Sequence, residues 1–115
     1  MRPMTLAEIA EAVDGRLLVD ETASDEATGA LRIDAVHTDT RALAAAAATH
    51  AVLFVALRGE RFDAHDYLPQ AAAAGARAAL VSRAAGAFDG GVLPQILVAD
   101  TERALAALAA HLQRS

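Results

Sequence analysis

The stretch Leu53–Tyr67, LFVALRGERFDAHDY, decides the architecture of this chain. It begins as an apolar strand, continues as a loop dense in charged side chains, and then enters a helix. Loops at the carboxyl ends of strands are where α/β proteins bind ligands, because the strand fixes the loop and a helix N-terminus attracts anions. A second polar segment, Thr38-Asp39-Thr40-Arg41, follows another apolar run. We therefore expect both segments to face one crevice.

Length and composition limit the fold and the classes of partner. At 115 residues the chain suffices for one domain with a real core but not for two. Hydrophobic residues make up 55% and aromatic ones only 3%, so close packing of helices on a sheet by alanine, leucine and valine is expected. The net charge of −5 argues against nonspecific binding of nucleic acid or of anionic membranes. With no transmembrane-length run and no signal-peptide pattern, we expect a cytoplasmic protein without membrane insertion.

Absent residues and motifs exclude several kinds of chemistry. Without cysteine the chain has no disulfide, thiolate metal site or cysteine nucleophile. It also has no lysine, so it cannot form a GxxxxGK[ST] phosphate loop or a Schiff base. His37, His50 and His111 show no metal-ligand spacing, and neither a Gly-x-Ser-x-Gly nor a dinucleotide fingerprint is found. We predict no catalytic set, no metal site and none of the usual machinery for ATP.

Local signals predict the first helix and the loop that follows it. Thr5 and Glu8 form a capping-box pattern, and apolar residues then recur at helical spacing up to Gly15, which is expected to stop the helix. A helix over residues 5–14 follows. Asp20–Gly29 is acidic, small and polar, and is expected to be an exposed loop of low order.

Five segments are predicted to be strands, and they differ in how deeply they are buried. Alternation in Leu31–Val36 favours a strand with one solvated face, whereas the continuous apolar run Val52–Leu57 favours one covered on both faces. The full set is Arg16–Val19, Leu31–Val36, Val52–Leu57, Ala78–Val81 and Gln95–Val98.

Helices separate the later strands. His65 or Asp66 is expected to open a helix over Tyr67–Ala74 that Gly75 ends, and Ala44–Ala48 is expected to form a weak helical turn or loop. Asp100 is expected to cap a C-terminal helix after a surface loop over Arg83–Pro94. This order predicts an α/β domain whose later part is parallel.

The charged and hydroxyl side chains of the two loops leave alternatives open. Arg41, Arg58 and Arg61 suit phosphate or carboxylate binding, but a local salt-bridge network with Asp39, Glu60 and Asp63 explains them about equally well. Thr38 and Thr40 suit a sugar or a pyrimidine edge, although a turn with side-chain caps accounts for them too.

His65 and Asp66 suggest a catalytic dyad at first sight. Adjacent residues on a helix do not face each other, so a role at the helix start is the better interpretation.

These segments resemble the Mur ligases of bacterial peptidoglycan synthesis. The resemblance is nearest to the branch that adds D-alanyl-D-alanine to UDP-N-acetylmuramoyl-tripeptide, and it spans nearly the whole chain in the order of the family's N-terminal domain. It is carried by Thr5–Leu17, Ala35–Arg41, Leu53–Tyr67, Ala72–Arg83 and Pro94–Thr101. It implies that residues 1–115 form a single domain that binds the UDP precursor. The implied fold is a small three-layer-like α/β domain with a mixed, partly parallel sheet flanked by helices.

The resemblance also implies roles for individual residues. Thr40 and Arg41 lie where a family motif approaches the uridine, and the loop that starts at Arg58 borders the nucleotide and the sugar. The implied UDP-binding set is Thr38, Asp39, Thr40, Arg41, Arg58, Gly59, Glu60 and Arg61. Asp63 and His65 are assigned mainly to shaping the loop.

In the full ligase of this family, ATP with Mg²⁺ would phosphorylate the carboxylate of the tripeptide. The amine of D-alanyl-D-alanine would then attack the acyl phosphate. The resemblance also implies roles in cell-wall formation, cell shape and cell division. The resemblance implies that the central ATP-binding domain and the C-terminal domain are absent from this chain, so no catalysis is expected of it alone. Two rival hypotheses are a stand-alone protein-interaction module that keeps the fold and, last in rank, a small hydrolase.

Overall fold

The computed structural model describes residues 1–18, 25–59, 63–83 and 93–114. Within these ranges every helix is too short or too polar to cross a membrane. The strands are β1 Met4–Thr5, β2 Arg16–Leu18, β3 Arg32–Ile33, β4 Ala35–His37, β5 Val52–Val55, β6 Ala78–Val81 and β7 Gln95–Leu97. The helices are α1 Leu6–Ala12, α2 Asp25–Gly29, α3 Leu43–Ala47, α4 Leu68–Ala73 and α5 Thr101–Arg114, and a 3₁₀ turn over Ala64–Tyr67 precedes α4.

The first helix begins as predicted and ends differently. The Thr5 hydroxyl accepts the Glu8 backbone N–H at 3.1 Å while the Glu8 carboxylate accepts the Thr5 N–H at 3.3 Å, which confirms the capping box. At the other end Asp14, not Gly15, takes the left-handed conformation, with φ 54°. The N–H groups of Asp14 and Gly15 donate to Glu11 and Ala10 in the usual pattern of such an ending.

Gly15 is not needed for the left-handed conformation, and the reason for a glycine there is a close contact with β7. A Cβ there would lie 2.6 Å from Ile96 Cγ2 and 2.9 Å from Val98 Cγ1, so the absence of a side chain lets the end of α1 approach β7.

The main sheet has the order β2-β7-β6-β5-β4. Strands β4 to β7 are parallel and β2 pairs antiparallel with β7, so the sheet is mixed and mostly parallel as predicted. Strands β5 and β6 are buried along their whole length, as expected of strands covered on both faces.

The side chains of β5 alternate between two apolar clusters. Val52 and Phe54 pack with α3 and α4, whereas Leu53 and Val55 pack with α1 and α5. Helices therefore cover both faces of the sheet, which confirms the three-layer α/β architecture.

The predicted strand Leu31–Val36 is wrong as one element. Strand β3 pairs antiparallel with β1 in a separate two-stranded sheet, and β4 joins the main sheet. Asp34 lies between them: its N–H donates to the Ala51 carbonyl at 2.9 Å and its carboxylate accepts the Ala51 N–H at 2.8 Å. These two hydrogen bonds to Ala51, just before β5, hold the point at which the chain passes from one sheet to the other.

The region predicted as the exposed loop Asp20–Gly29 contains the short helix α2. Thr28 of α2 is buried and α2 contacts α1, so this part of the segment is not the exposed loop that its composition predicted. Residues 20–24 lie outside the described ranges, as does most of the predicted loop Arg83–Pro94.

The start of the helix after β5 also differs from the prediction. Asp63, not His65 or Asp66, caps the 3₁₀ turn by accepting the His65 N–H at 2.9 Å, and α4 follows until Gly75, whose φ is +104°. The prediction for α5 is confirmed, because the Asp100 carboxylate accepts the N–H of Glu102 at 2.9 Å.

Candidate functional site

Both polar segments border one cavity at the carboxyl edge of the parallel strands. Strand β4 runs into Thr38–Arg41, β5 runs into the loop with Arg58 and Gly59, and β7 leads to the start of α5. The cavity has a volume of about 620 Å³. It is lined by Thr38, Asp39, Thr40, Arg41, Phe54, Leu57, Arg58, Gly59, Ala64, Tyr67 and Glu102.

The lining has two chemically different parts. Phe54, Leu57, Ala64 and Tyr67 form an apolar side, which comes from β5 and from the turn before α4. Hydroxyl, guanidinium and carboxylate groups form the remainder. A cavity that combines apolar walls with a few polar groups suits a small organic ligand with a charged part.

Arg41 and Asp39 form a bidentate pair at the rim. Arg41 Nε lies 3.0 Å and Nη2 2.7 Å from Asp39 Oδ2, and the Arg41 backbone N–H donates to Oδ1 at 2.9 Å. The hydrogen bonds from the Arg41 side chain, and to a smaller extent the one from its backbone, lower the pKa of Asp39. The same pairing raises the pKa of Arg41. The Arg41 side chain is 89% exposed, so the guanidinium can exchange this partner for an incoming anion at little cost.

A buried histidine fixes the base of the second loop. The His65 side chain is 1% exposed, and its Nε2 accepts the Ser82 backbone N–H at 2.9 Å. A neutral ring must therefore carry its proton on Nδ1, which lies 2.6 Å from Asp63 Oδ1. His65 thus links the turn after β5 to the end of β6.

Asp63 is held from several directions. Arg83 Nη1 donates to its Oδ2 at 2.7 Å, and Arg58 Nε lies 3.6 Å from the same oxygen. Burial raises the pKa of Asp63, but hydrogen bonds from the backbone and ring of His65 and the charge of Arg83 outweigh it, so the pKa lies below its ordinary value. An antiparallel β-bridge also joins Arg58 to Asp63.

The contacts of Asp63, His65 and Ser82 resemble a nucleophile–base–acid triad only superficially. Ser82 Oγ lies 3.3 Å from His65 Nε2, but the backbone N–H of Ser82 already uses that lone pair at 2.9 Å. The His65 ring therefore cannot serve as a base toward the hydroxyl. Asp66 contacts Arg83 at 3.6 Å, whereas the partner of the His65 ring is Asp63.

A second cavity of about 310 Å³ adjoins the first. Arg58, Gly59 and Glu102 line both, so they lie at the junction. Ser82, Ala99, Asp100 and Thr101 complete the second one. The buried Thr101 hydroxyl donates to the Ala56 carbonyl at 2.9 Å, which holds the start of α5 against the end of β5.

Six residues of the predicted UDP-binding set line the larger cavity, and Asp63 and His65 lie at and beside the start of the 3₁₀ turn. Glu60 and Arg61 lie outside the described residues, so their predicted roles stay predictions. In the described ranges no group of three or more histidine, aspartate or glutamate side chains is arranged to hold a metal ion.

Four residues at the cavities or in contact with Asp63 were not predicted from the sequence: Tyr67, Ser82, Arg83 and Glu102. Ser82 and Arg83 follow the buried strand β6 directly, so the rule that selected the other two loops would have found them. Tyr67 and Glu102 reach the cavity only through the packing of α4 and α5, which no local pattern shows.

Comparison with known proteins identifies the family. Residues 32–113 match the model described as Mur ligase family, catalytic domain. The UDP-N-acetylmuramoyl-tripeptide–D-alanyl-D-alanine ligase of Escherichia coli (strain K12) is 43% identical over 114 residues, which are 99% of this chain and 21% of that protein. The chain thus spans about a fifth of the length of that relative.

Solved structures agree with this relationship. A crystal structure of MurF from Acinetobacter baumannii matches with a TM-score of 0.71 and 31% identity, over 96% of this chain and 21% of that one. The crystal structure of MurF ligase from Thermotoga maritima in complex with ADP matches with a TM-score of 0.52 and 27% identity, over 67% of this chain and 16% of that one. By sequence and by fold, the chain belongs to the Mur ligase family.

Proposed function

We propose that this chain is the substrate-binding domain of an ATP-dependent ligase that joins D-alanyl-D-alanine to UDP-N-acetylmuramoyl-tripeptide. Its own task is to bind the UDP part of that precursor. One observation carries the proposal: the loops after β4 and β5, which carry the family resemblance, line a single cavity at the carboxyl edge of the sheet. That edge is where open α/β sheets bind their ligands.

The two adjoining cavities suggest the direction in which the precursor lies. The larger cavity, with apolar walls and the hydroxyls of Thr38 and Thr40, suits the uridine. Arg58 and Gly59 at the junction suit the diphosphate, because guanidinium groups bind phosphate oxygens and glycine lets the ligand approach the backbone. The second cavity, with Ser82 and Thr101, then receives the sugar.

The ion pairs around the cavity support a binding role for the arginines. Arg41 and Arg58 do contact Asp39 and Asp63, as the salt-bridge alternative predicted, but both guanidinium groups also border the cavity. Both are largely exposed, so their carboxylate partners place them without sequestering their charge. The proposed site includes Thr38, Asp39, Thr40, Arg41, Arg58 and Gly59, and also Glu60 and Arg61 from the resemblance, with Asp63 and His65 shaping the loop.

The chemical step belongs to other parts of such a ligase. We propose that ATP, Mg²⁺ and D-alanyl-D-alanine bind to a central and a C-terminal domain, and that this chain alone is not catalytic. The lack of lysine supports this division, and the Thermotoga maritima ligase, of which this chain matches only a small part, is known in complex with ADP. Roles in cell-wall formation, cell shape and cell division, and a cytoplasmic location, are part of the same proposal.

An NMR titration of this chain with UDP-N-acetylmuramoyl-tripeptide tests the proposal, with UMP and ATP for comparison. We expect amide shifts at Thr38–Arg41 and around Arg58 and Gly59 with the UDP ligand and with UMP, and none with ATP. Shifts elsewhere, or none at millimolar ligand, would contradict it and favour the interaction-module alternative.

Variants locate the site within the same titration. Arg41→Ala together with Arg58→Ala is expected to weaken binding at least tenfold, because the charge-assisted contact of Arg58 to the diphosphate and the contact of Arg41 beside the uridine are both lost. Arg77→Ala is the matched control, since Arg77 is also exposed but precedes β6 at the opposite edge of the sheet. Equal effects of the double variant and the control would refute the assignment.

A further inference from the structure

Tyr67 lines the larger cavity but belongs to neither of the two loops to which UDP binding is assigned. It is 43% exposed and lines the larger cavity. Among the large hydrophobic residues of the described ranges, only Met1 shares this degree of exposure. Phe54, by contrast, is 1% exposed and lies in the core beneath the same cavity. An aromatic ring at a cavity wall, in a chain with few aromatic residues, requires a reason.

From this placement we infer that Tyr67 is the stacking surface for the uracil ring of the precursor. The inference rests on the proposed function and names the residue that selects a flat aromatic base. Nucleic-acid bases stack readily on aromatic side chains because every base has a planar π face. Leu57 and Ala64, which line the cavity with Tyr67, supply the apolar surroundings that such a ring requires.

The position of Tyr67 is fixed before any ligand arrives. It ends the 3₁₀ turn that Asp63 caps, and His65, two residues earlier, is buried and bonded to the end of β6. Because the backbone at Tyr67 is held in this way, the turn does not have to become ordered when a base binds, which favours binding.

The polar groups nearby complete the recognition of a pyrimidine. Thr38 and Thr40 line the cavity with Tyr67, and each hydroxyl can both donate and accept a hydrogen bond. The uracil edge presents carbonyl acceptors and one N–H donor, which match such groups. Stacking on Tyr67 would therefore bind the face of the base while the hydroxyls read its edge.

The composition of the chain offers a direct readout. Tyr67 is the only tyrosine, and there is no tryptophan, so tyrosine fluorescence reports on this ring alone. Titration with UMP is expected to quench this emission saturably, at the concentrations that shift the amides of Thr38–Arg41. Free N-acetyltyrosinamide in the same titration corrects for absorption by the base.

A pair of ligands and three variants separate stacking from a structural role. Dihydrouridine monophosphate keeps the polar edge and the phosphate of UMP but has a puckered, non-aromatic ring. Calorimetry is expected to show that Tyr67→Ala and Tyr67→Leu weaken UMP binding about 5- to 160-fold, the range for base–aromatic stacking. Tyr67→Phe is expected to bind UMP within about twofold of the wild type, because the ring remains.

The same variants should bind the dihydro analogue almost as the wild type does, since no stacking is lost. Equal weakening of both ligands in Tyr67→Ala and Tyr67→Leu would overturn the inference, as would UMP binding that neither variant changes. If neither UMP nor the UDP precursor binds the wild type, the proposed function itself fails, and this inference fails with it. Circular dichroism of each variant verifies that it is folded.

Discussion

Replacement of His65 by alanine is expected to lower the free energy of unfolding by about 2.5–6 kcal/mol through two lost hydrogen bonds. The first is the Nδ1–H bond to the Asp63 carboxylate at 2.6 Å. Bonds to charged groups contribute about 1.5–3 kcal/mol each. The second is the Ser82 N–H bond to Nε2 at 2.9 Å, and an amide left without its acceptor costs about 1–3 kcal/mol. A 115-residue domain has a total stability of roughly 6–17 kcal/mol, so most of this range leaves the variant folded.

Two conservative variants divide the effect between the bonds. In His65→Asn the amide nitrogen replaces Nδ1 and keeps a donor toward Asp63, whereas in His65→Gln the amide oxygen replaces Nε2 and keeps an acceptor for Ser82. Each is expected to lose about half of what alanine loses. His50→Ala is the control, because the His50 side chain is 53% exposed and its ring lies 3.5 Å from Asp34. It is expected to change stability by less than about 0.5 kcal/mol.

Urea unfolding followed by circular dichroism measures these differences by linear extrapolation. His65→Ala is also expected to bind UMP more weakly at temperatures where it is folded, because the loop with Arg58 and the turn with Tyr67 lose the hydrogen bonds that hold them to β6. A loss of stability below about 1 kcal/mol, similar to a surface substitution, would refute the claim that this histidine fixes the site.

Three further predictions concern the same features and the end of α1. Because the folded pKa of Asp63 is lowered, its contribution to stability is present above the unfolded pKa of about 3.9 and is lost as the pH falls through the folded pKa. Urea titrations should therefore show that the stability of the wild type falls more steeply below about pH 4 than that of Asp63→Asn. Asp14→Gly should raise the melting temperature, since its φ of 54° strains a residue with a side chain; an unchanged or lower value contradicts this. Gly15→Ala should cost about 1–3 kcal/mol in urea unfolding because its Cβ would lie 2.6 Å from Ile96 Cγ2, and a neutral result would mean that β7 yields freely.

The parts of the fold that could be predicted depend on residues close together in the chain. The capping box joins Thr5 to Glu8, and the buried run at Val52 needs no distant partner to be recognised as a strand. The division of Leu31–Val36 could not be predicted, because it depends on a bond from Asp34 to Ala51, 17 residues away. An alternating pattern shows which side chains are buried but not which sheet they join.

The candidate site shows the same limit. The two loops were found because each follows an apolar strand, and Asp63 and His65 were noticed as part of one loop. Their contacts with Ser82 and Arg83 depend on β6 lying beside β5 in the sheet. The placement of Glu102 at the cavity depends on α5 and is visible only once the helices are packed.

The pairing of β2 with β7 has a consequence for how the chain folds during its synthesis. Strands β4 to β7 can join the sheet one after another as they emerge, since each is adjacent to the one before it. Strand β2 emerges before all of these, yet its partner in the sheet is the last strand, with Arg16 opposite Leu97. Until the ribosome has released residues beyond Leu97, β2 has no strand in the sheet to pair with, and its backbone N–H and C=O groups stay open to water or to chaperones.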